Sequence, residues 1–164
     1  MPTPSYLTIE GSQQGLITAG AMSKASVGNL YQSGHENQIL VQSLHYGMQV
    51  PQGHQHRVHR PLIITKIIDK SSPLLSIALA NGERLKKCSL ALYRTASEGR
   101  QEHYYSIDLE DAVIVNIENY SPHCQDPQNA HLTHLETLHL TYRRITWTHE
   151  AGGTMGSDDW RSQG

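Results

Sequence analysis

Apolar and polar residues alternate with a period of two through most of this chain, and that pattern admits few architectures. Leu7 and Ile9 flank Thr8 in a short first strand that ends at Gly11. Between Leu40 and Val50 the even positions Leu40, Leu44, Tyr46, Met48 and Val50 are apolar, while the odd ones include Ser43, His45 and Gly47. The pattern predicts one long strand whose even face meets the core and whose odd face points outward. Residues 62–68 are apolar on both faces, as expected of a strand beneath a second layer. Cys88, Leu90 and Leu92 share a phase in a further strand. Tyr105, Ile107, Leu109, Val113, Val115 and Ile117 keep one phase over 13 residues, which predicts a single strand bent near Asp111 with Val115 buried. Leu138, Leu140 and Tyr142 are out of phase with Ile145 and Trp147, which predicts a β-bulge at Arg143-Arg144. One helix interrupts the strands. Ser71 and Ser72 are cap candidates, Pro73 suits the first turn, Leu74, Leu75, Ile77, Ala78 and Leu79 form its apolar stripe, and Asn81-Gly82 stop it. The fold class is therefore mainly β: an antiparallel β-barrel, closed or nearly so, with one short α-helix, because closure removes exposed strand edges.

At 164 residues the chain reads as one domain, 1–164. Residues 11–38, rich in glycine and small polar residues, read as a long surface loop. Residues 51–61 form a second loop carrying His54, His56 and His59, and residues 151–164 a flexible tail with Trp160 as its anchor. Charged residues make up only 17% and apolar ones 37%, so exposed faces must be largely neutral and polar. The net charge of −2 argues against a nucleic-acid partner held through its phosphates. No apolar run approaches the roughly 20 residues that span a bilayer, so no membrane insertion is expected. The first residues lack a basic region followed by an apolar run, so no secretory signal peptide is expected either. Cys88 and Cys124, far apart and without a Cys-x-x-Cys, read as reduced thiols.

Histidine is the one abundant reactive residue, with 11 copies. His54 and His56 would point the same way on an extended chain and could share a metal, as in a cupin. The cupin pattern needs a Glu soon after, and residues 57–82 contain none. A cupin-like metal-dependent enzyme thus stays as the alternative, while no metal and no cofactor are expected. Glu110 and Asp111 are neighbours on a strand and face opposite ways. Arg143-Arg144 reads as surface charge, Asp158-Asp159 as a soluble tail, and Cys124 as a thiol beside His123 without a substrate pocket. No Gly-x-Ser-x-Gly elbow, Walker loop or Gly-x-Gly-x-x-Gly is present. Residue chemistry thus ends at a polar β-barrel without a catalytic set.

A set of longer motifs carries a resemblance. They are Tyr6-Leu7-Thr8-Ile9-Glu10-Gly11, Gln14-Gly15-Leu16-Ile17-Thr18-Ala19-Gly20-Ala21, Arg57-Val58-His59-Arg60-Pro61-Leu62, Asp69-Lys70-Ser71-Ser72-Pro73-Leu74-Leu75, Pro122-His123-Cys124-Gln125-Asp126-Pro127, Leu140-Thr141-Tyr142-Arg143-Arg144-Ile145-Thr146-Trp147 and Gly156-Ser157-Asp158-Asp159-Trp160. In this order they resemble the Hcp family of type VI secretion systems, looking most like its enterobacterial branch. The resemblance implies a non-enzymatic β-barrel subunit that forms homohexameric rings with a wide lumen. Rings would stack into a tube fired by a contracting sheath, with sheath and spike proteins as partners and effector proteins carried in the lumen. It implies Ser43, His45 and Gly47 as lumen contacts, and the loop Gln52, Gly53, His54, Gln55, His56 and Arg57, shorter than in many relatives, as the ring-stacking contact. It further implies a cytoplasmic protein exported through the apparatus without a signal peptide, with no room here for a C-terminal toxin domain.

Overall fold

The structure is a computed structural model and describes residues 3–160. Its main sheet is wholly antiparallel and contains β1 (Ser5–Gly11), β2 (Gly15–Leu16), β3 (Ile39–His45), β6 (Leu62–Ile67), β7 (Leu85–Thr95), β8 (Gln101–Glu110), β9 (Val113–Tyr120), β10 (Leu135–Thr141), β11 (Arg144–His149) and β12 (Thr154–Asp159). The order across it is β12-β11-β8-β7-β1-β3-β6-β10-β9, with β2 as a short hairpin return on β1. A separate two-stranded sheet pairs β4 (Met48–Gln49) with β5 (Val58–His59).

The sheet has two free ends, β9 and β12, so hydrogen bonds alone do not close it. The chain itself joins the two ends of this open sheet. β8 runs into β9, and β10 runs into β11, while β8 pairs with β11 and β9 with β10. The two pairs are therefore arms of one bent ribbon. Its far arm pairs with β6 through β10, and its near arm pairs with β7 through β8. One core fills the enclosed space, with Leu7, Ile9, Ile39, Ile64, Leu90, Leu109, Ile114, Leu138 and Ile145 in a single cluster.

The ribbon bends at two corners. At the first, Asp111 has φ +53°, a left-handed conformation that an Asp tolerates better than most residues. Ala112 bridges to Leu85. At the second, Tyr142 and Arg143 separate β10 from β11, so the expected bulge at Arg143-Arg144 is a corner instead. The corners are fastened together. The Arg143 amide donates to the Glu110 carbonyl at 3.0 Å, and its Nε donates to the Asp111 carboxylate at 2.7 Å. Arg143 also pairs with Asp159 of β12.

Two register slips correct the strand readings. β9 and β10 shift between His139 and Leu140, so that Asn116 opposes His139 while Ile114 opposes Leu140. Val115 is the extra residue of this bulge. It is 47% exposed rather than buried, and Ile114, at 4%, takes its place in the core. β3 slips likewise between Val41 and Ser43 against β6. Ile39 and Val41 are buried before the slip; Leu44 and Tyr46 pack on the core after it. The expected even-face rule therefore holds only for the second half of β3, which ends at His45 rather than Val50.

The helix α2 (Ser72–Ala80) forms where expected, with Pro73 in its first turn and Leu75 and Ala78 buried. Its entry carries a feature that periodicity conceals: Lys66 of β6 is fully buried. Its Nζ lies 2.6 Å from Glu136 of β10 and 3.3 Å from Asp69, and it donates to Ser72 Oγ at 3.0 Å. Asp69 in turn accepts from the Ser71 amide. Residues 11–38 are not a free surface loop, because Ile17, Ala21 and Met22 are all buried. The excursion contains α1 (Lys24–Val27) and a 3-10 turn. His35 stacks on Tyr6 with ring centroids 3.9 Å apart. Residues 154–159 of the expected tail pair with β11 as β12; residues 161–164 lie outside the described residues.

Candidate functional surfaces

Three groups of residues singled out in the sequence fall in different places. Ser43 and His45, after the slip in β3, alternate with the core-packed Leu44 and are exposed on the opposite face. Ser43 lies opposite Thr65 and His45 opposite Ile63 of β6. Gly47 sits beyond the strand end. A Cβ there would lie 2.2 Å from the Arg60 guanidinium, and the Gly47 carbonyl accepts from the Arg60 amide at 3.0 Å. Its missing side chain thus seats Arg60.

The second group is the loop Gln52, Gly53, His54, Gln55, His56 and Arg57. All but Arg57 are exposed, at the tip of the β4–β5 hairpin. Around them Met48, Val50 and Val58 are 43%, 57% and 44% exposed. An isolated two-stranded hairpin is marginal in water, so something must fasten it. Asp158 of β12 does so. Its carboxylate accepts from Arg57 Nε at 3.0 Å and Nη2 at 3.1 Å, and Nη2 also donates to the Asp159 carbonyl at 2.9 Å. His59 Nε2 stands 2.7 Å from the same carboxylate. Its Nδ1 is 3.0 Å from the Tyr142 hydroxyl and 3.4 Å from that of Tyr46. The Arg57 guanidinium, and His59 after it, hold the Asp158 carboxyl below its ordinary range against the opposing effect of burial. Burial, with Tyr46 nearby, pushes the Tyr142 phenol well up. Trp160, the expected anchor, donates its indole N–H to the Tyr142 carbonyl. Asp158-Asp159 is therefore a clasp and not a solvated tail. No local pattern pairs Arg57 with a residue 101 positions away, so the sequence reading missed it.

The third group is the histidines. His54 and His56 are exposed in the loop, whereas the His59 side chain is turned into the Asp158–Tyr142 contact. Among the described residues no three His, Cys, Asp or Glu side chains are grouped to hold a metal ion. His103 Nε2 lies 2.7 Å from Ser106 Oγ, which donates to Glu150 at 3.0 Å. The carboxylate bonds the serine rather than the imidazole, whose ring stacks on Tyr93, so the three are not in the order of a nucleophile relay.

Comparison with known proteins agrees with this architecture. The family described as "Type VI secretion system effector, Hcp" matches residues 6–149. A major exported protein of Pseudomonas aeruginosa is 56% identical over 99% of this chain and 98% of its own length. Among solved structures, an Hcp protein superposes with a TM-score of 0.93 at 44% identity, covering 98% of this chain and 99% of that one. The secreted protein Hcp3 from Pseudomonas aeruginosa reaches 0.86 at 53% identity, covering 98% and 100%. The cupin-like reading falls with these matches, and the chain belongs to the Hcp family of type VI secretion proteins.

Proposed function

We propose that this chain is a tube subunit that assembles as a homohexamer, stacks ring on ring and carries effector proteins in its lumen. The Hcp family is a structural tube-protein family whose members form rings, not a family of enzymes. The observation that carries the finer reading is the full-length match to exported and secreted relatives. In this reading Ser43 and His45 face the lumen from the exposed side of β3. The fastened hairpin tip, Gln52 to Arg57, makes the ring-to-ring contact. Its apolar flank of Met48, Val50 and Val58 supports that role, since exposed apolar groups gain from burial against a second copy. Sheath and spike proteins are the expected partners outside the ring. The subunit is cytoplasmic until it is exported through the apparatus.

Light scattering and electron micrographs of the purified protein test this reading. A particle of six subunits, seen as rings or short stacks, is expected. A monomer persisting at high micromolar concentration would overturn it. His45→Asp tests the lumen assignment: rings should form while effector retention falls.

A further inference from the structure

The hairpin β4–β5 stands outside the main sheet, and a pair of strands this short does not hold its own place in water. Arg57 and His59 are two residues apart on an extended course, so they turn to one side and Val58 between them to the other. On the inner side both meet Asp158: Arg57 by two hydrogen bonds to the carboxylate, His59 through Nε2. The His59 side chain is 2% exposed, and its ring meets that of Tyr142 edge-on with centroids 5.5 Å apart. Asp158 belongs to β12 and Tyr142 to the corner between β10 and β11, so the clasp fastens the hairpin to the main sheet. On the outer side Val58 stays exposed, as do Met48 and Val50.

This division tells what the clasp does. A contact that silenced the hairpin would cover its apolar flank. The clasp instead takes up the polar and charged side and leaves the flank in water. Charge-assisted hydrogen bonds thus fix the pose before any partner arrives, which removes an ordering penalty from the later contact.

We propose that Arg57 does not touch the next ring but forms, with Asp158 and His59, a positioning device that holds the hairpin in the pose for ring-to-ring contact and takes no part in closing the ring itself. Gln52 to His56 make the contact, and Arg57 acts through them. The inference rests on the ring-to-ring reading of this loop above and narrows it.

The test uses the full chain and reads two quantities: subunits per ring by native mass spectrometry, and the ring concentration at which stacks appear in light scattering and micrographs. Arg57→Ala and Asp158→Ala should each keep six-subunit rings and raise the stacking concentration at least about tenfold, because only docked hairpins are competent. The double variant should stack no worse than the poorer single, since both changes break one contact. Losses that multiply would give Arg57 a separate role in the neighbouring ring and overturn the proposal. Asp158→Glu, which keeps the carboxylate, should recover part of the loss. Where an alanine variant fails to fold, Asp158→Asn is read together with hydrogen exchange: amides of residues 48–59 should exchange faster while those of β7 and β8 do not. Unchanged stacking beside that faster exchange overturns the proposal. Stacking at lower concentration than the parent also overturns it, because the clasp would then be a restraint. The tip variant Gln55→Glu with His56→Glu separates the two readings. If it abolishes stacks and the clasp variants do not, the positioning role is wrong and the ring-to-ring contact stands. If it stacks like the parent, or the parent forms no stacks, the ring-to-ring reading fails and this inference with it.

Discussion

Lys66 is a fully buried charge, so its partners bear directly on the stability of this protein. Its ammonium is fully buried between two carboxylates, Glu136 and Asp69, and all three find partners. Truncating one member of such a group strands the others without water. Lys66→Met should cost about 3–5 kcal/mol, and Lys66→Met with Glu136→Leu should recover a large part of it. Urea unfolding of the single and double variants measures both; equal losses would contradict the coupling. Asp158 allows a pH prediction. Its folded carboxyl is held low, chiefly by Arg57, so it contributes stability above the unfolded value of about 3.9 and loses that contribution as pH falls through the folded one. Melting temperatures between neutral and acid pH should thus fall at the acid end, and Asp158→Asn should flatten that part of the profile while lowering the neutral plateau. The thiols should also differ. Burial pushes Cys88 up to about 12, whereas Cys124 is exposed. A maleimide should therefore modify one of the two thiols in the native protein, and both in denaturant.

At the scale of elements, the two bulges decide which apolar residues enter the core. Val115 and Ile114 are equally apolar, and alternation from Ile107 and Leu109 favours Val115. The slip opposite His139 reverses that choice. Val115→Lys should therefore stay within about 0.5 kcal/mol of the parent, while Ile114→Lys, which buries a charge, should cost several kcal/mol. Thermal melts of the pair check the assignment; destabilisation by both variants alike would contradict it. Helix α2 shows the opposite case. Its proline and its stop at Asn81-Gly82 lie within a dozen residues, so its limits were legible from local chemistry, although Ser71 at the N-cap makes no side-chain capping bond. Strand existence was equally legible at β1, β6 and β7. Strand phase was not, because a bulge depends on the partner strand and leaves no mark in its own sequence.

For the whole molecule, the bent ribbon links the two ends of an open sheet. One arginine, Arg143, ties the Glu110–Asp111 corner to its own corner and to β12. Its neighbour Arg144, more exposed, reaches Glu110 and Ser157. Arg143→Ala should lower the melting temperature more than Arg144→Ala, and it should speed hydrogen exchange in β12. Equal effects of the two would mean that the corners hold without it. Taken alone, the sequence determined the antiparallel β class, helix α2 and, through its ordered motifs, the family, while the short α1 (Lys24–Val27) escaped it. Those features rest on short-range periodicity and on contiguous segments. Only the tertiary structure decided that Asp158 clasps Arg57, that Lys66 is buried and that Val115 faces out. Each depends on which distant strand lies alongside and in what register, and pairing between segments tens of residues apart is set by the packing of the whole core rather than by any local pattern.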